Sequence, residues 1–214
     1  MYVPADFTLS DVTAVHAFLR AHVFATIAGE IDGRISFAYA PIVLDTGPEP
    51  LGRIRFHLAR ANPHWSDLAE GNEALMIFQG PEGYITPNWY PSKALHGKVV
   101  PTWNFAVVHA YGRPEVMKEK DWLLRHVTEL TAQQKRNGAK PWAPTDAPDT
   151  YIEVMLRGIV GFRFAITRLK GKWKMSQNRE VQDRVGVVKG LSARDTGDDL
   201  EMAEVVSRWI TQSN

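Results

Sequence analysis

Apolar residues recur at helical spacing in some stretches of this chain and alternate with polar ones in others. After Ser10, a natural helix cap, Val12, Val15, Phe18 and Leu19 share one helical face. A second helix is predicted over 118–137, with Trp122, Val127, Leu130 and Gln134 at helical spacing and Trp122, Val127 and Leu130 as its buried face. Two more are expected over 149–157 and 199–212, the last carrying Leu200, Ala203, Val206 and Ile210. Asn62-Pro63 starts a short helix that Gly71 ends. Strands are predicted over 23–28, 51–58, 74–79, 104–112 and 161–169, the last with Phe162, Phe164 and Ile166 alternating against Arg163, Ala165 and Thr167. Asp32-Gly33 is a two-residue hairpin signal between ATIAGEI and RISFAYAPIVLD. Lys170-Gly171 reads as a turn into KWKMSQNR, and the proline-rich stretch 138–148 as a loop.

The strands come early and in hairpins, without strand–helix–strand alternation. That argues against a parallel sheet, and no glycine-rich phosphate fingerprint is present. The expected fold is mainly β within an α+β class: an antiparallel β-barrel with peripheral helices, in one domain over 1–214.

Composition narrows the function. There is no Cys, so disulfides, thiolate metal sites and a Cys nucleophile are excluded. The seven histidines show neither HxH nor HExxH spacing, which argues against a metal site. No GxSxG elbow or paired-carboxylate motif supports hydrolysis. Lys and Arg total 25 against 24 Asp and Glu, so no global field draws the chain onto nucleic acid. No apolar run is long enough to span a membrane, and MYVPADFTLSD lacks the pattern of a signal peptide, so a cytoplasmic location is expected.

Three strings have the chemistry of a binding site. Gly83–His109 places Tyr84, Trp89, Tyr90, Trp103 and Phe105 among Thr86, Ser92, Lys93, Thr102 and Asn104. Flat apolar faces beside small polar groups suit a planar polar cofactor, and equally a loop that plugs a barrel end. In HLARANPHW, from His57 to Trp65, a strand ends and a helix begins. Arg60 offers a planar fork and Asn62 a helix start, a combination that favours an anion; alternatively Asn62 only caps and Arg60 is solvated. Between Arg163 and Arg179 lie six basic residues and no acidic one, ending in Lys174, Ser176, Gln177 and Asn178. That segment reads as a solvated face, a phosphate or flavin contact, or a nucleic-acid patch.

Together these strings resemble the PaiB-type family of FMN-binding negative transcriptional regulators. The matching residues are MYVPADF at the N-terminus, Phe24-Ala-Thr26, His57-Leu-Ala-Arg-Ala-Asn-Pro63, Gly80-Pro81, Tyr84-Ile-Thr-Pro-Asn-Trp-Tyr-Pro91 with Lys93, Val100-Pro-Thr-Trp-Asn104, Val108-His109, Ile159-Val-Gly-Phe162 and Lys174-Met-Ser-Gln-Asn-Arg179. They run in family order from Met1 to about Leu191. The resemblance implies a six-stranded antiparallel split barrel that forms a homodimer and holds FMN at the subunit interface. It implies that Arg60 and Asn62 hold the flavin phosphate. His57, Thr86, Trp89, Tyr90, Lys93, Thr102, Trp103 and Asn104 become ring and ribityl contacts. Lys174, Ser176, Gln177 and Asn178 reach the same flavin or its symmetry mate. Thr86 and Asn88 stand where the family resemblance leads one to expect serines, and Phe105 where Tyr is common. A regulatory role with DNA contact through the basic segment is the implied function; a small FMN-dependent oxidoreductase is the alternative.

Overall fold

A computed structural model of the chain describes residues 1–31, 33–47, 49–134 and 142–211. The expected turn residue Asp32 and the expected end of the second long helix lie outside the described residues. The elements in chain order are β1 (Thr8–Leu9), α1 (Val12–Ala21), β2 (Phe24–Ile31), β3 (Arg34–Pro41), β4 (Val43–Asp45), β5 (Arg53–Ala59), α2 (His64–Ala69), β6 (Ala74–Ile85), α3 (Ser92–His96), β7 (Thr102–Met117), α4 (Lys120–Ala132), α5 (Asp149–Arg157), β8 (Ile159–Lys174), α6 (Val181–Arg194) and α7 (Asp199–Thr211). The strands form one sheet in the order β3-β2-β6-β7-β8-β5-β4, with β1 on β8, and every pairing for which a register is resolved is antiparallel. Six of them have seven residues or more, in accord with the expected six-stranded class. Two short strands, β1 and β4, are additions. No helix among the described residues is long and apolar enough to cross a membrane.

The chain divides into two compact units, each built from separated segments. One comprises 12–78 and 109–169, the other 1–11, 79–108 and 170–214. In the first, the alternation along β5 turns Ile54, Phe56 and Leu58 into a core with Phe162 and Phe164 of β8. Phe56 and Phe162, directly opposite in the ladder, stack with ring centroids 4.8 Å apart. The hairpin between β2 and β3 forms as expected, with Ile31 opposite Arg34 and Gly33 at φ +73°. In the second unit Tyr90, Met175, Val187, Leu191, Met202 and Val206 are buried together as its core set.

Three strands run further than the residue pattern suggests. β6 continues past Gln79 to Ile85, β7 past Gly112 to Met117, and β8 straight through Lys170-Gly171 without a turn. The glycines inside them mark close approaches, not ends. A Cβ at Gly112 would lie 2.2 Å from the carbonyl oxygen of Ala165. The burial face of α4 also differs from the expected one. Leu123 and His126 are buried, while Trp122, Val127 and Leu130 are half-buried. The sequence reading misses α6 altogether, because Gly186 and Gly190 interrupt its apolar pattern. Each costs a helix about 1 kcal/mol. Both are needed here for tertiary reasons, since Trp89 packs directly over them.

Candidate functional site

The expected site residues fall into two sets, one in each unit. His57, Arg60 and Asn62 belong to the unit containing β5. Along β5 the odd residues face away from the aromatic core, and α4 meets two of them, Arg55 and His57. Arg55 donates to Asp45 from Nε and Nη2, both at 2.7 Å, and to Glu129 of α4. His57 Nδ1 lies 3.0 Å from Nε2 of His126, whose ring stacks on Trp122. Gly161, opposite His57 in the ladder, makes room for this: a Cβ there would meet Trp122 at 2.4 Å. Burial pushes the His57 imidazole down. It takes His126 to about 3, helped by the neighbouring His57 and Arg55. His57 is thus the half-buried member of a neutral histidine pair whose other member, His126, is fully buried. Sequence reading had no signal for its partner, which is 69 residues away.

Arg60 directs its fork inward. Nε donates to the Arg157 carbonyl at 2.9 Å and Nη2 to that of Ile159 at 3.0 Å, which leaves Nη1 for another ligand. Asn62 Oδ1 accepts the His64 N–H at 3.0 Å, so the first N–H of the six-residue α2 is satisfied within the chain.

The other set lies in the second unit, where separated strings come together. The start of β7 and the end of β8 carry its centre. Lys174 Nζ donates to Thr102 Oγ1 and, at 2.7 Å, to the Trp103 carbonyl. Burial, with Lys172 and Arg179 nearby, pushes the Lys174 ammonium down. Fully buried Asn104 donates from Nδ2 to Ser176 Oγ at 3.0 Å. Ser176 holds a left-handed φ of +62°, a conformation few side chains adopt without local support. Gln177 spends its amide locally, accepting from Met175 N and donating to the Trp173 carbonyl, and Asn178 is exposed.

The loop before α3 is held from inside. Thr86 Oγ1 accepts from Asn88 N at 3.3 Å and caps a short turn over Pro87–Trp89. Asn88 Oδ1 takes the Lys93 ammonium at 2.6 Å, so the amide found there has a role of its own. Trp89 is half-buried against α6, and the Arg194 guanidinium carbon is 5.0 Å from its ring centroid. Tyr90 is buried, with Arg179 4.9 Å from its ring. Its hydroxyl, buried within reach of Arg179 and Ser176, forms no well-aligned hydrogen bond. Ser92 N and Oγ both donate to Asp183 of α6. Trp89 and Tyr90 are therefore held by contacts within the chain, Trp89 against α6 and Tyr90 in the core. The outward ring pair is Tyr84 and Trp103, both about half exposed, with centroids 6.2 Å apart.

Tyr84 and Trp103 line a hollow of about 340 Å³ together with Glu82, Arg194, Asp198 and Asp199. Arg194 bonds Asp199 and the Tyr84 carbonyl, and Trp103 Nε1 donates to Glu82. Arg194 holds the Asp199 carboxyl at about 2. Three carboxylates against one guanidinium oppose a phosphate here. Two exposed ring faces beside the Lys174 cation suit an uncharged, electron-poor ring system. The donor chemistry of this unit therefore fits the ring of a flavin and not its phosphate.

Comparisons with known proteins bear on the cofactor, not on the individual residues. A family model described as "Putative FMN-binding domain" matches residues 1–168. Over 206 residues the chain is 28% identical to "Protease synthase and sporulation protein PAI 2" of Bacillus subtilis (strain 168), covering 96% of each. It is 34% identical over 241 residues to "Uncharacterized protein AN0679" of Emericella nidulans, again covering 96% of each. In fold it is similar to the crystal structure of conserved hypothetical protein Rv2991 from Mycobacterium tuberculosis. The TM-score is 0.59 at 14% identity, over 84% of this chain and 94% of that one.

Proposed function

We propose, from the premise that this chain belongs to the FMN-binding domain family whose model spans residues 1–168, that it is a flavin-bound homodimer that controls gene expression. The carrying observation is the junction of Thr102, Trp103 and Asn104 with Lys174 and Ser176, two strings about 70 residues apart in sequence and bonded together. Bound FMN supplies redox chemistry and a coloured, environment-sensitive ring. Lys174 has three N–H donors and spends two, so one remains for an electron-rich ring edge. Trp103 and Tyr84 offer stacking faces, and Asn178 an exposed amide. Thr86, Trp89, Tyr90, Lys93 and Gln177 act by shaping this wall, since their polar groups or rings are engaged within the chain. Buried Asn104 supports Ser176. His57 and Asn62 brace the strand end from which Arg60 projects.

The regulatory part of the reading follows the likeness to the "Protease synthase and sporulation protein PAI 2". Direct DNA contact through the basic segment has weaker support. Arg163 is bonded to Glu115, and Arg168 to Glu73 and the Tyr111 ring. Lys172 donates to the Tyr2 carbonyl, and Lys174 to Thr102. These cations have internal partners, so the segment is no open phosphate-binding stripe.

The test is a titration of the purified chain with FMN and riboflavin, followed by absorption and fluorescence. Binding of both is expected. Lys174→Met should weaken both by about tenfold, the loss of one charge-assisted bond. A protein that neither carries nor takes up flavin overturns the reading. Anisotropy with genomic fragments at low salt, where phosphate contacts are strongest, examines the DNA arm; no binding there would confine regulation to protein partners.

Dimerisation has its own support in the unit containing β2 and β3. Phe24, Ile35, Phe37 and Tyr39 are each more than half exposed on one outward patch at the end of the strand order. Phe24 and Tyr39 stack across it with centroids 6.4 Å apart. A patch of this kind on a free monomer would be an association hazard. Light scattering is expected to give a dimer for the wild type and a monomer for Phe37→Lys. A wild type that stays monomeric at micromolar concentration removes the dimer.

A further inference from the structure

Helix α5, in the unit containing β5, carries an apolar row turned to solvent. Of its nine residues only Leu156 is fully buried, and Ile152, one turn earlier, is half-buried. On the outer side Tyr151, Val154 and Met155 are each about half exposed. Gly158 ends the helix with φ −78° and ψ −4°, still helical, and is exposed at the end of the same row. Positions i, i+3, i+4 and i+7 make one continuous helical face. A Cβ at Gly158 would meet only the carbonyl of Met155 in its own helix, at 3.2 Å, so no other described residue covers this end of the row.

The charges beside the row are ordered. Asp149 opens the helix and Arg157 closes it. Between them Glu153 is bonded to Lys120 of α4, on which Asp149 also acts, and Arg157 acts on Glu153. All four groups are exposed, so these interactions are screened and leave both ends of α5 open to a further charge. The helix is thus acidic at its start and basic at its end. A parallel copy of it would set like ends together. An antiparallel copy sets Arg157 toward Asp149 at both ends and opposes the two helix dipoles favourably. Shape agrees with charge. About a midpoint between Val154 and Met155, an antiparallel copy lays the Tyr151 ring over Gly158, the one position of the row without a side chain, and Val154 against Met155.

We propose that α5 is a self-association face: two copies of the chain pair their α5 helices antiparallel about a two-fold axis, with Tyr151 of each seated at Gly158 of the other. Such a contact is isologous, since one face meets itself, and it closes on two copies. It goes beyond the dimer reading above and does not need it. A nine-residue helix supplies few contact residues, and interfaces below about 1,200 Å² are weak or transient. The β2–β3 patch therefore sets the species at micromolar concentration, and α5 joins those dimers in pairs when the protein is concentrated.

Sedimentation velocity of the full chain, from about 1 μM to about 1 mM, spans the range of such contacts. The wild type should show a second association step that doubles the mass of the micromolar species. Val154→Glu, a good helix former at an exposed position, should lose this step and keep the dimer. Phe37→Lys should keep the step, now from monomer to dimer. Arg157→Glu and Asp149→Arg should each weaken it by about tenfold, because each sets like charges together at both ends. An equimolar mixture of these two variants should recover it, since both ends then join unlike charges, and the recovery should fade with added salt. A wild type without the step overturns the proposal and leaves the face to a foreign partner or to none. A step unchanged in Val154→Glu, or a mixture that associates no better than its components, overturns it as well. A wild type that is monomeric at micromolar concentration instead removes the β2–β3 dimer and leaves the α5 step to be read from the monomer.

Discussion

Gly186→Ala is expected to lower the unfolding free energy by at least about 3 kcal/mol, beyond the ordinary cost of overpacking. The added Cβ would stand 1.9 Å from the carbonyl oxygen of Trp89, which is backbone and cannot rotate aside. The loop from Thr86 to Ser92 would have to leave α6, breaking the two bonds from Ser92 to buried Asp183. For a domain of this size that corresponds to a fall in Tm of about 6–12 °C. Gly190→Ala meets the indole ring of Trp89, at 2.1 Å, and a side chain can shift, so a smaller loss is expected. Gly47→Ala, which touches nothing within 4 Å, is the control and should be neutral or slightly stabilising. Thermal or urea melts of the three variants decide it. A Gly186→Ala protein as stable as the control would mean that α6 does not clamp the Trp89 loop.

The second large effect is on acid stability. An unfolded histidine takes up a proton near pH 6.5, whereas folded His126 refuses it until about pH 3. Throughout that window the unfolded chain binds more protons. Stability should therefore fall as pH falls, by about 1.4 kcal/mol per pH unit, with His57 adding in the same direction. The cause is visible in the pair. His126 Nδ1 is buried without a partner, and Nε2 already faces His57. A second proton would place an unbonded N–H in an apolar setting and a like charge beside Arg55. His126→Gln keeps a hydrogen-bonding group but cannot titrate, so its stability should fall less steeply between pH 6.5 and 4. Equal slopes in wild type and variant would show that another group carries the acid response. The depressed Asp199 adds in the same direction only below about pH 4, under the pH 6.5–4 range in which the slopes are compared.

Both effects depend on contacts between residues far apart in the chain, and they mark the limit of what the residue pattern conveys. The local pattern suffices for the elements themselves. Alternation in β5 and β8, the two-residue hairpin, α1 and α5 follow from side-chain period and turn chemistry, which act over a few residues. The antiparallel class followed from hairpin order, and the flavin chemistry from the ordered strings that resemble a known family. Strand ends were legible only in part. Gly83, Gly112 and Gly171 look like breaks in sequence, and only a neighbour pressed against the missing Cβ shows that they let the strand pass. Helix α6 was hidden for the same reason.

By itself, then, the sequence determined the secondary-structure alphabet, the antiparallel class and the kind of cofactor, because each rests on short-range stereochemistry or on an ordered set of motifs. Only the tertiary structure decided what each side chain does. It turned Trp89 and Tyr90 inward against α6, gave His57 to His126, and left Tyr84 and Trp103 outward. Those roles depend on which donor meets which acceptor across long separations, and on which charge is already neutralised there. Neither is encoded in any local stretch of the chain.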